Sequence, residues 1–343
     1  LQFADLTAYL GTTGDDNLTG TAANEVLLGL SGNDTLNGLG GVDVLVGGAG
    51  NDTYVVDTNT DTLTELNAQG IDTVQSAVTR TLALNFENLT LTGSNAINGT
   101  GNGVNNIIIG NTGNNTLNGL GGNDTLNGFG GTDSLNGGAG NDIYIVDAAT
   151  VTFTEAAGGG IDTIQTSVTL APLATNFEHL TLTGGSAISG TGNTVANIIT
   201  GNSNNNILNG LGGADTLIGG DGDDRLIGDA GADGLTGGLG ADTFVYTASL
   251  FHSVGGTRDT ITDFVSGTDK IDLTVIDANT AAAAAGNQDF IFIGTSAFTA
   301  AGQVRYAGGV LEVNNNATLT ADLQINVTGS PTLVATDLLG MLP

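Results

Sequence analysis

Gly210-Leu-Gly-Gly-Ala-Asp-Thr-Leu-Ile218 runs without a gap into Gly219-Gly-Asp-Gly-Asp-Asp-Arg-Leu-Ile227, and the same spacing continues through Thr243. The shared form is Gly-Gly-x-Gly-x-Asp-x-(apolar)-x. Glycine at positions one, two and four permits positive φ and close backbone approach, the chemistry of a tight turn. The residues from Asp to the ninth position form a short alternating strand whose eighth residue points inward. One unit is therefore a turn and a strand, and two units make one coil of a solenoid. Turns alternate between two sides, so each stacks on the turn eighteen residues later.

The same unit recurs in two earlier blocks. From Gly11 to Val55 its sixth positions are Asp16, Glu25, Asp34, Asp43 and Asp52, and from Gly101 to Ile145 they are Asn106, Asn115, Asp124, Asp133 and Asp142. The third block, Gly192 to Val245, reads Asn197, Asn206, Asp215, Asp224, Asp233 and Asp242. A longer repeat lies over the short one. Asn51-Asp-Thr-Tyr-Val-Val-Asp57 returns as Asn141-Asp-Ile-Tyr-Ile-Val-Asp147, and Asn85-Phe-Glu-Asn-Leu-Thr-Leu-Thr-Gly returns from Asn176 with His179 in place of Asn88. The offset is 90 residues in the first case and 91 in the second. Ninety is five coils of eighteen, so segments 56–100 and 146–191 are expected to continue the solenoid, with the extra residue as a loop insertion or bulge. The alternative is a small β-excursion in each segment.

Composition narrows the function. The chain has 343 residues with 35 Asp+Glu against 5 Lys+Arg, a formal net charge of −30, which excludes a phosphate-backbone binder of nucleic acid. Stacked carboxylates at one repeat position would repel across each coil spacing unless cations lay between them. Calcium takes six to eight oxygens, and two stacked turns can supply both carboxylates and carbonyls. Complete Asp pairs eighteen apart are Asp16/Asp34, Asp34/Asp52, Asp124/Asp142, Asp215/Asp233 and Asp224/Asp242. Asp43 and Asp133 stand in mixed pairs with Glu25 and Asn115, and the Asn-containing pairs are expected to be weaker or empty. Asp43/Asp61 has the spacing, but no Gly turn precedes Asp61.

These blocks resemble the RTX (repeats-in-toxin) calcium-binding β-roll proteins. The resemblance implies an all-β fold: a right-handed parallel β-roll or β-helix solenoid over 11–246, after a lead-in at 1–10 and before a β-rich cap at 247–343. It also implies ligand sets. One turn gives carbonyls from positions two and four plus its Asp, and the turn eighteen later gives carbonyls from one and three plus its Asp. That puts Leu30, Gly32 and Asp34 with Gly47, Ala49 and Asp52, and Gly220, Gly222 and Asp224 with Gly237, Leu239 and Asp242. On the same pattern Gly14 and Asp16 face Gly29. Likewise Gly122 and Asp124 face Gly137, Ala139 and Asp142, while Gly213 and Asp215 face Gly228, Ala230 and Asp233.

After Tyr246 the repeat stops. The run 259–273 reads as alternating and strand-like, 281–285 as a short helical turn, and Phe290-Ile-Phe-Ile, Gln303-Val-Arg-Tyr and Val310-Leu-Glu-Val as strands, with a hairpin turn at Ala307-Gly-Gly. This region resembles the C-terminal module of serralysin-type secreted metalloproteases, which closes the roll and carries an uncleaved type I secretion signal. The tail Asp337-Leu-Leu-Gly-Met-Leu-Pro343 is similar to the family's acidic-then-apolar end and departs from it by the added Pro. Asp259 or Asp263 is a candidate to complete a last site, with a surface role the favoured expectation.

No His-Glu-x-x-His or Gly-x-Ser-x-Gly is present, and of the two histidines His179 sits where the first copy has Asn, as expected of a surface residue. Catalysis by these residues is not expected. No apolar run reaches the ~18 residues of a membrane span, and zero Cys removes disulfides and thiolate sites. The start, Leu1-Gln-Phe-Ala-Asp, carries no signal peptide and reads as a processed or truncated piece of a longer chain. Calcium ions and the type I secretion apparatus are the implied partners, with copies of the chain itself in a surface array. Three roles stay open: a secreted cell-surface structural component of S-layer or sheath type, the secretion and stability tail of a hydrolase, and an ice- or carbohydrate-binding adhesin segment. The last is weakened by an irregular position-seven series, Asn17, Val26, Thr35, Val44 and Thr53.

Overall fold

The computed structural model describes residues 7–66, 69–247, 258–278, 288–328 and 332–342. The 281–285 segment lies outside them. Two compact units are formed, 1–164 and 165–343. The described residues of both are strands and turns, with one short 3₁₀ helix at Ala335–Asp337. No helix among them is long and apolar enough to cross a membrane.

In the first unit, parallel strands stack so that identical repeat positions face each other. Leu18 pairs with Leu36, Leu36 with Tyr54, Tyr54 with Val74 and Val74 with Leu89. The column goes on through Ile108, Leu126 and Tyr144. On the opposite side Leu27 pairs with Leu45 and Leu45 with Leu63, and further along Leu117 pairs with Leu135 and Leu135 with Phe153. The ladder thus runs on through 56–100. Its coils there are unequal: Tyr54 to Val74 spans twenty residues, Val74 to Leu89 fifteen and Leu89 to Ile108 nineteen. The ninety-residue period is an average over irregular coils.

The second unit repeats the scheme. Leu180, Ile199, Leu217, Leu235 and Ile261 form one column, and Gly190, Leu208, Leu226, Phe244, Ile271 and Leu338 the other. The extra residue of this copy falls near Pro172, after Thr169, whose hydroxyl accepts the Ser189 N–H. In the first copy the two-residue strand Arg80–Thr81 pairs with Gly99–Thr100. In the second copy no strand forms at this point, although the Leu173 N–H still reaches the Thr191 carbonyl at 3.1 Å.

Run 259–273 divides into Thr260–Ile261 and Lys270–Asp272, which extend opposite columns. Thr260–Ile261 then pairs with Leu323–Val327, which turns antiparallel to Val310–Asn314, itself antiparallel to Gln303–Ala307. The ladder therefore ends on a meander, and its final parallel edge is covered. The tight turn of that meander holds Gly308 and Gly309 at φ 61° and 81°, the mirror-image turn that twists with the strands.

Position-eight side chains from Leu27 to Phe244 are fully buried, whereas Leu18, in a first coil, is half-buried. The core consists of the two opposite inward columns, so a truncation in either leaves a cavity. Leu217→Ala is expected to lower the stability of the calcium-loaded chain by about 2–5 kcal/mol. Urea denaturation in saturating calcium, with a similar midpoint for Val265→Ala on the exposed surface, checks this.

Candidate metal centre

The turns carry the site, and their backbone decides its geometry. In most of the acidic turns positions two and four are left-handed, as at Gly220 and Gly222 (φ 110° and 113°), whereas the Asn turns and Gly231 are not. Position two keeps that conformation even where it is not glycine: Leu30 has φ 80°, Leu120 77°, Phe129 69° and Asp229 58°. Position one is not left-handed; glycine is needed there for room. A Cβ on Gly29 would strike Asp34 Oδ2 and lie 2.6 Å from the Gly47 carbonyl oxygen.

That clash locates the site, because the Asp of one turn and the first carbonyl of the turn above converge there. Asp16 and Gly29 O meet at Gly11, Asp34 and Gly47 O at Gly29, and Asp124 and Gly137 O at Gly119. Asp215 and Gly228 O meet at Gly210, and Asp224 and Gly237 O at Gly219. The second and fourth carbonyls point up at the next turn: Leu30 O at Gly48, Gly32 O at Gly50, Gly220 O at Gly238, Gly222 O at Gly240 and Gly213 O at Gly231. The third carbonyls are at the same interface, where Ala49, Ala139, Ala230 and Leu239 accept N–H bonds of 2.8–2.9 Å from Gly32, Gly122, Gly213 and Gly222. Gly14 lies in an exposed first turn.

Each upper Asp is anchored by one oxygen. Asp34 Oδ1 accepts the Asp16 N–H at 2.8 Å, Asp52 Oδ1 that of Asp34 at 2.8 Å, and Asp142 Oδ1 that of Asp124 at 2.7 Å. Asp233 and Asp242 do the same for Asp215 and Asp224. The second oxygen has no partner. Among the described residues, Oδ2 of Asp34, Asp43, Asp52, Asp124, Asp133, Asp142, Asp215, Asp224, Asp233 and Asp242 is buried and makes no hydrogen bond. A buried anionic oxygen without a donor is costly unless a cation faces it. Oxygen-only donors of this kind fit calcium. Asp16 differs: it is half-buried and its Oδ2 accepts from Thr12 N–H at 2.6 Å.

Burial pushes these carboxyls up from their ordinary range near 3.8. Asp43, Asp52, Asp124, Asp142 and Asp242 rise to about 6 and Asp215 to about 7. The charge of the stacked Asp adds to burial at Asp52, Asp142 and Asp242. Asp34, Asp133, Asp224 and Asp233 shift the same way, chiefly through burial.

The Asn turns follow another logic. Asn106 Nδ2 donates to the Phe86 and Glu87 carbonyls at 3.0 and 3.1 Å, and Asn102 Nδ2 to Ala83 and Phe86 at 2.8 Å each. In the second unit Asn197 and Asn193 repeat this on Phe177, Glu178 and Ala174. The side-chain amides stand against carbonyls of the coil below, where a cation would otherwise be needed. Asp259 departs from its expected surface role: it is buried, and its Oδ1 accepts the Asp233 N–H at 2.9 Å. Asp263, half-buried, accepts N–H bonds from Gly237 and Gly238. Asp61 does stack on Asp43 as the next upper carboxylate, accepting from Asp43 N–H at 3.2 Å and from the Thr58 hydroxyl at 3.1 Å.

Two features were outside the sequence reading. Position-five Asn residues form a second ladder, in which Asn33 Oδ1 accepts the Asn51 N–H and Asn123 Oδ1 the Asn141 N–H. The Asn-Asp pairs eighteen apart were its signal. Carboxylates of the longer coils also join the end of each early block: Asp52, Glu65 and Asp72 cluster, as do Asp142, Glu155 and Asp162.

Residues 147–339, more than half of the chain, match the family described as Peptidase M10 serralysin C terminal. The chain belongs to this serralysin C-terminal family. Residues 10–45, 19–54, 100–128 and 109–144 match the RTX calcium-binding nonapeptide repeat, so this member of the serralysin C-terminal family is a calcium-binding β-roll. Among solved structures it is similar to the solution structure of the AlgE6R3 subunit from the Azotobacter vinelandii mannuronan C5-epimerase. The identity is 26% over 43% of this chain and 78% of that one, with a TM-score of 0.32. No curated protein sequence matches it.

The raised carboxyls fix the sign of a pH effect. In the metal-free state the folded roll holds more protons than the unfolded chain between about pH 4 and pH 7, so chelated protein loses stability as pH rises through that window. With calcium present, protons compete for the same oxygens. Circular dichroism in chelator is expected to give more strand at about pH 4.5 than at about pH 7.5, and the calcium midpoint to rise on acidification. A chelated chain that gains strand as pH rises would contradict the assignment.

Proposed function

We propose that the chain is an exported β-roll that stays unfolded at cytosolic calcium and folds outside the cell at ~10⁻⁴–10⁻³ M calcium. There it serves as a structural component of a bacterial cell surface. The observation that carries the reading is the row of ten buried Asp oxygens without donors. In this reading Leu30, Gly32 and Asp34 hold one ion with Gly47, Ala49 and Asp52, and Gly220, Gly222 and Asp224 another with Gly237, Leu239 and Asp242. The pairs headed by Asp16, Asp124 and Asp215 follow the same pattern. Residues 11–246 are the roll and 247–343 the cap and secretion module.

The tail supports export before folding. Asp337 is buried, accepting from Ser266 Oγ at 2.7 Å and from the Gly267 N–H at 2.8 Å, and Leu338–Leu339 pairs with Lys270–Asp272. A signal held this way is accessible to a transporter only in the unfolded chain. The surface role is supported by outward polar rows such as Thr35, Thr53 and Thr73. Side-by-side copies could meet across such rows through bridging calcium.

A second reading is favoured by the family match: the chain is the secretion and stability module of a longer secreted hydrolase. The two are separated by electron microscopy after calcium addition, where ordered arrays support the surface role, and by the reading frame upstream of Leu1, where a hydrolase domain supports the module. The common core is tested by circular dichroism. Chelator is expected to abolish the strand signal and calcium to restore it, and Asp224→Asn with Asp242→Asn to raise the calcium midpoint. Strand signal indifferent to chelator at pH 7 would sink both readings.

A further inference from the structure

The coil that closes each of the first two blocks departs from the repeat. Asp72 lies twenty residues beyond Asp52, and its Oδ1 accepts the Asp52 N–H at 2.8 Å, just as Asp162 accepts from Asp142 at 2.8 Å. The Gln69 and Gly159 carbonyls accept N–H bonds from Gly50 and Gly140 and so take the part of the third-position carbonyl. A glutamate joins them: one oxygen each of Asp52, Glu65 and Asp72 lie within 4.8 Å of one another, and so do those of Asp142, Glu155 and Asp162. Asp52, Glu65 and Asp72 are all buried, at 1%, 8% and 1% exposure.

The glutamate is held in place. Tyr54 Oη accepts the Gly47 N–H at 2.7 Å and donates to Glu65 Oε2 at 2.6 Å, while Glu65 Oε1 accepts the Leu66 N–H at 2.8 Å. In the second copy Tyr144 accepts from Gly137 N–H at 2.7 Å and donates to Glu155, which also accepts from Ala156 N–H at 2.8 Å. Tyrosine stands at position eight only in these two turns, where Leu, Ile or Phe fills the core elsewhere in the blocks. Oδ2 of Asp52 and of Asp142, each residue 1% exposed, has no hydrogen-bond partner, and that of Asp52 converges with the Tyr54 hydroxyl where a Cβ on Gly47 would lie.

We propose that Asp52, Glu65 and Asp72, and again Asp142, Glu155 and Asp162, each hold a further calcium ion, outside the nonapeptide pattern. The inference rests on the calcium-folding reading above. Each site has three anionic ligands where the regular sites have two, and ligand charge tunes calcium affinity. These two sites therefore fill first and seal the last regular turn of each block onto the irregular coils beyond it.

Tyrosine contact supplies the readout. Terbium is a hard, oxygen-preferring ion, and its emission is sensitised by an adjacent tyrosine. Titrating the full chain with terbium is expected to give tyrosine-excited emission that saturates with the first two ions bound per chain. Emission that appears only as the last ions bind would overturn the proposal without touching the regular sites. In calcium equilibrium dialysis, Glu65→Gln with Glu155→Gln is expected to lose two ions per chain at the low-calcium end, with the later part of the isotherm kept. An unchanged isotherm would overturn it. A wild-type chain that binds no calcium would overturn this inference together with the folding reading.

Discussion

Everything in this fold depends on a carboxylate oxygen buried between two stacked turns with nothing from the protein to face it. The solenoid puts identical positions on top of one another, so a residue suited to one turn is repeated at each coil spacing. For Leu at position eight the repetition builds a core column. For Asp at position six it builds a column of like charge in a dry interface, where Coulomb repulsion is strong and solvation is lost. The chain satisfies one oxygen of each carboxylate with a backbone N–H and leaves the other open. Core packing and site chemistry are thus two consequences of one register.

The same register explains why glycine is used unevenly. Position one needs a missing side chain because the Asp oxygen and the carbonyl of the next turn occupy the space where Cβ would lie. Positions two and four need positive φ so that their carbonyls turn toward the neighbour. Leu30, Leu39, Leu120, Phe129, Leu211 and Asp229 adopt that φ without being glycine, a conformation costing roughly 1 kcal/mol or more each. The cost falls on the turns that aim oxygens at an ion. It is tolerable where the stacked turns over-determine the conformation.

The solenoid and the candidate Asp ladder were legible in the sequence because both are periodic. Asp34, Asp52, Asp124, Asp142, Asp215 and Asp242 announce themselves by an eighteen-residue spacing, and the stacked backbone converts that spacing directly into proximity. What was not legible breaks the period. Glu65 is thirteen residues from Asp52, and Asp72 is twenty, so neither answers to a spacing rule. Their signal was covariation inside the chain: Tyr54 occurs with Glu65 and Tyr144 with Glu155, each eleven apart, while turns with Leu at position eight lack such a partner. Asp259 also lies off the period: it is twenty-six residues from Asp233, and the register of Thr260–Ile261 onto Gly234 and Leu235 is what brings it under the Asp233 N–H.

The Asn turns give the blocks a direction. A calcium turn needs a glycine turn below it to offer a matching set of oxygens. At the start of the second and third blocks the coil below is irregular and presents to the Asn amides the carbonyls of Phe86 and Glu87, or of Phe177 and Glu178. Asp there would add charge without a balanced cage. Asn keeps the shape of Asp, accepts the N–H of position two as at Asn102 and Asn193, and replaces the missing cation with its own amide hydrogens. Each such block therefore begins with turns closed by neutral donors and passes into turns that need metal. In the second block that passage ends on the three-carboxylate cluster, in the third on the cap. Acidic turns and Asn turns share one column of core side chains within each unit, so both kinds of turn are held in one register.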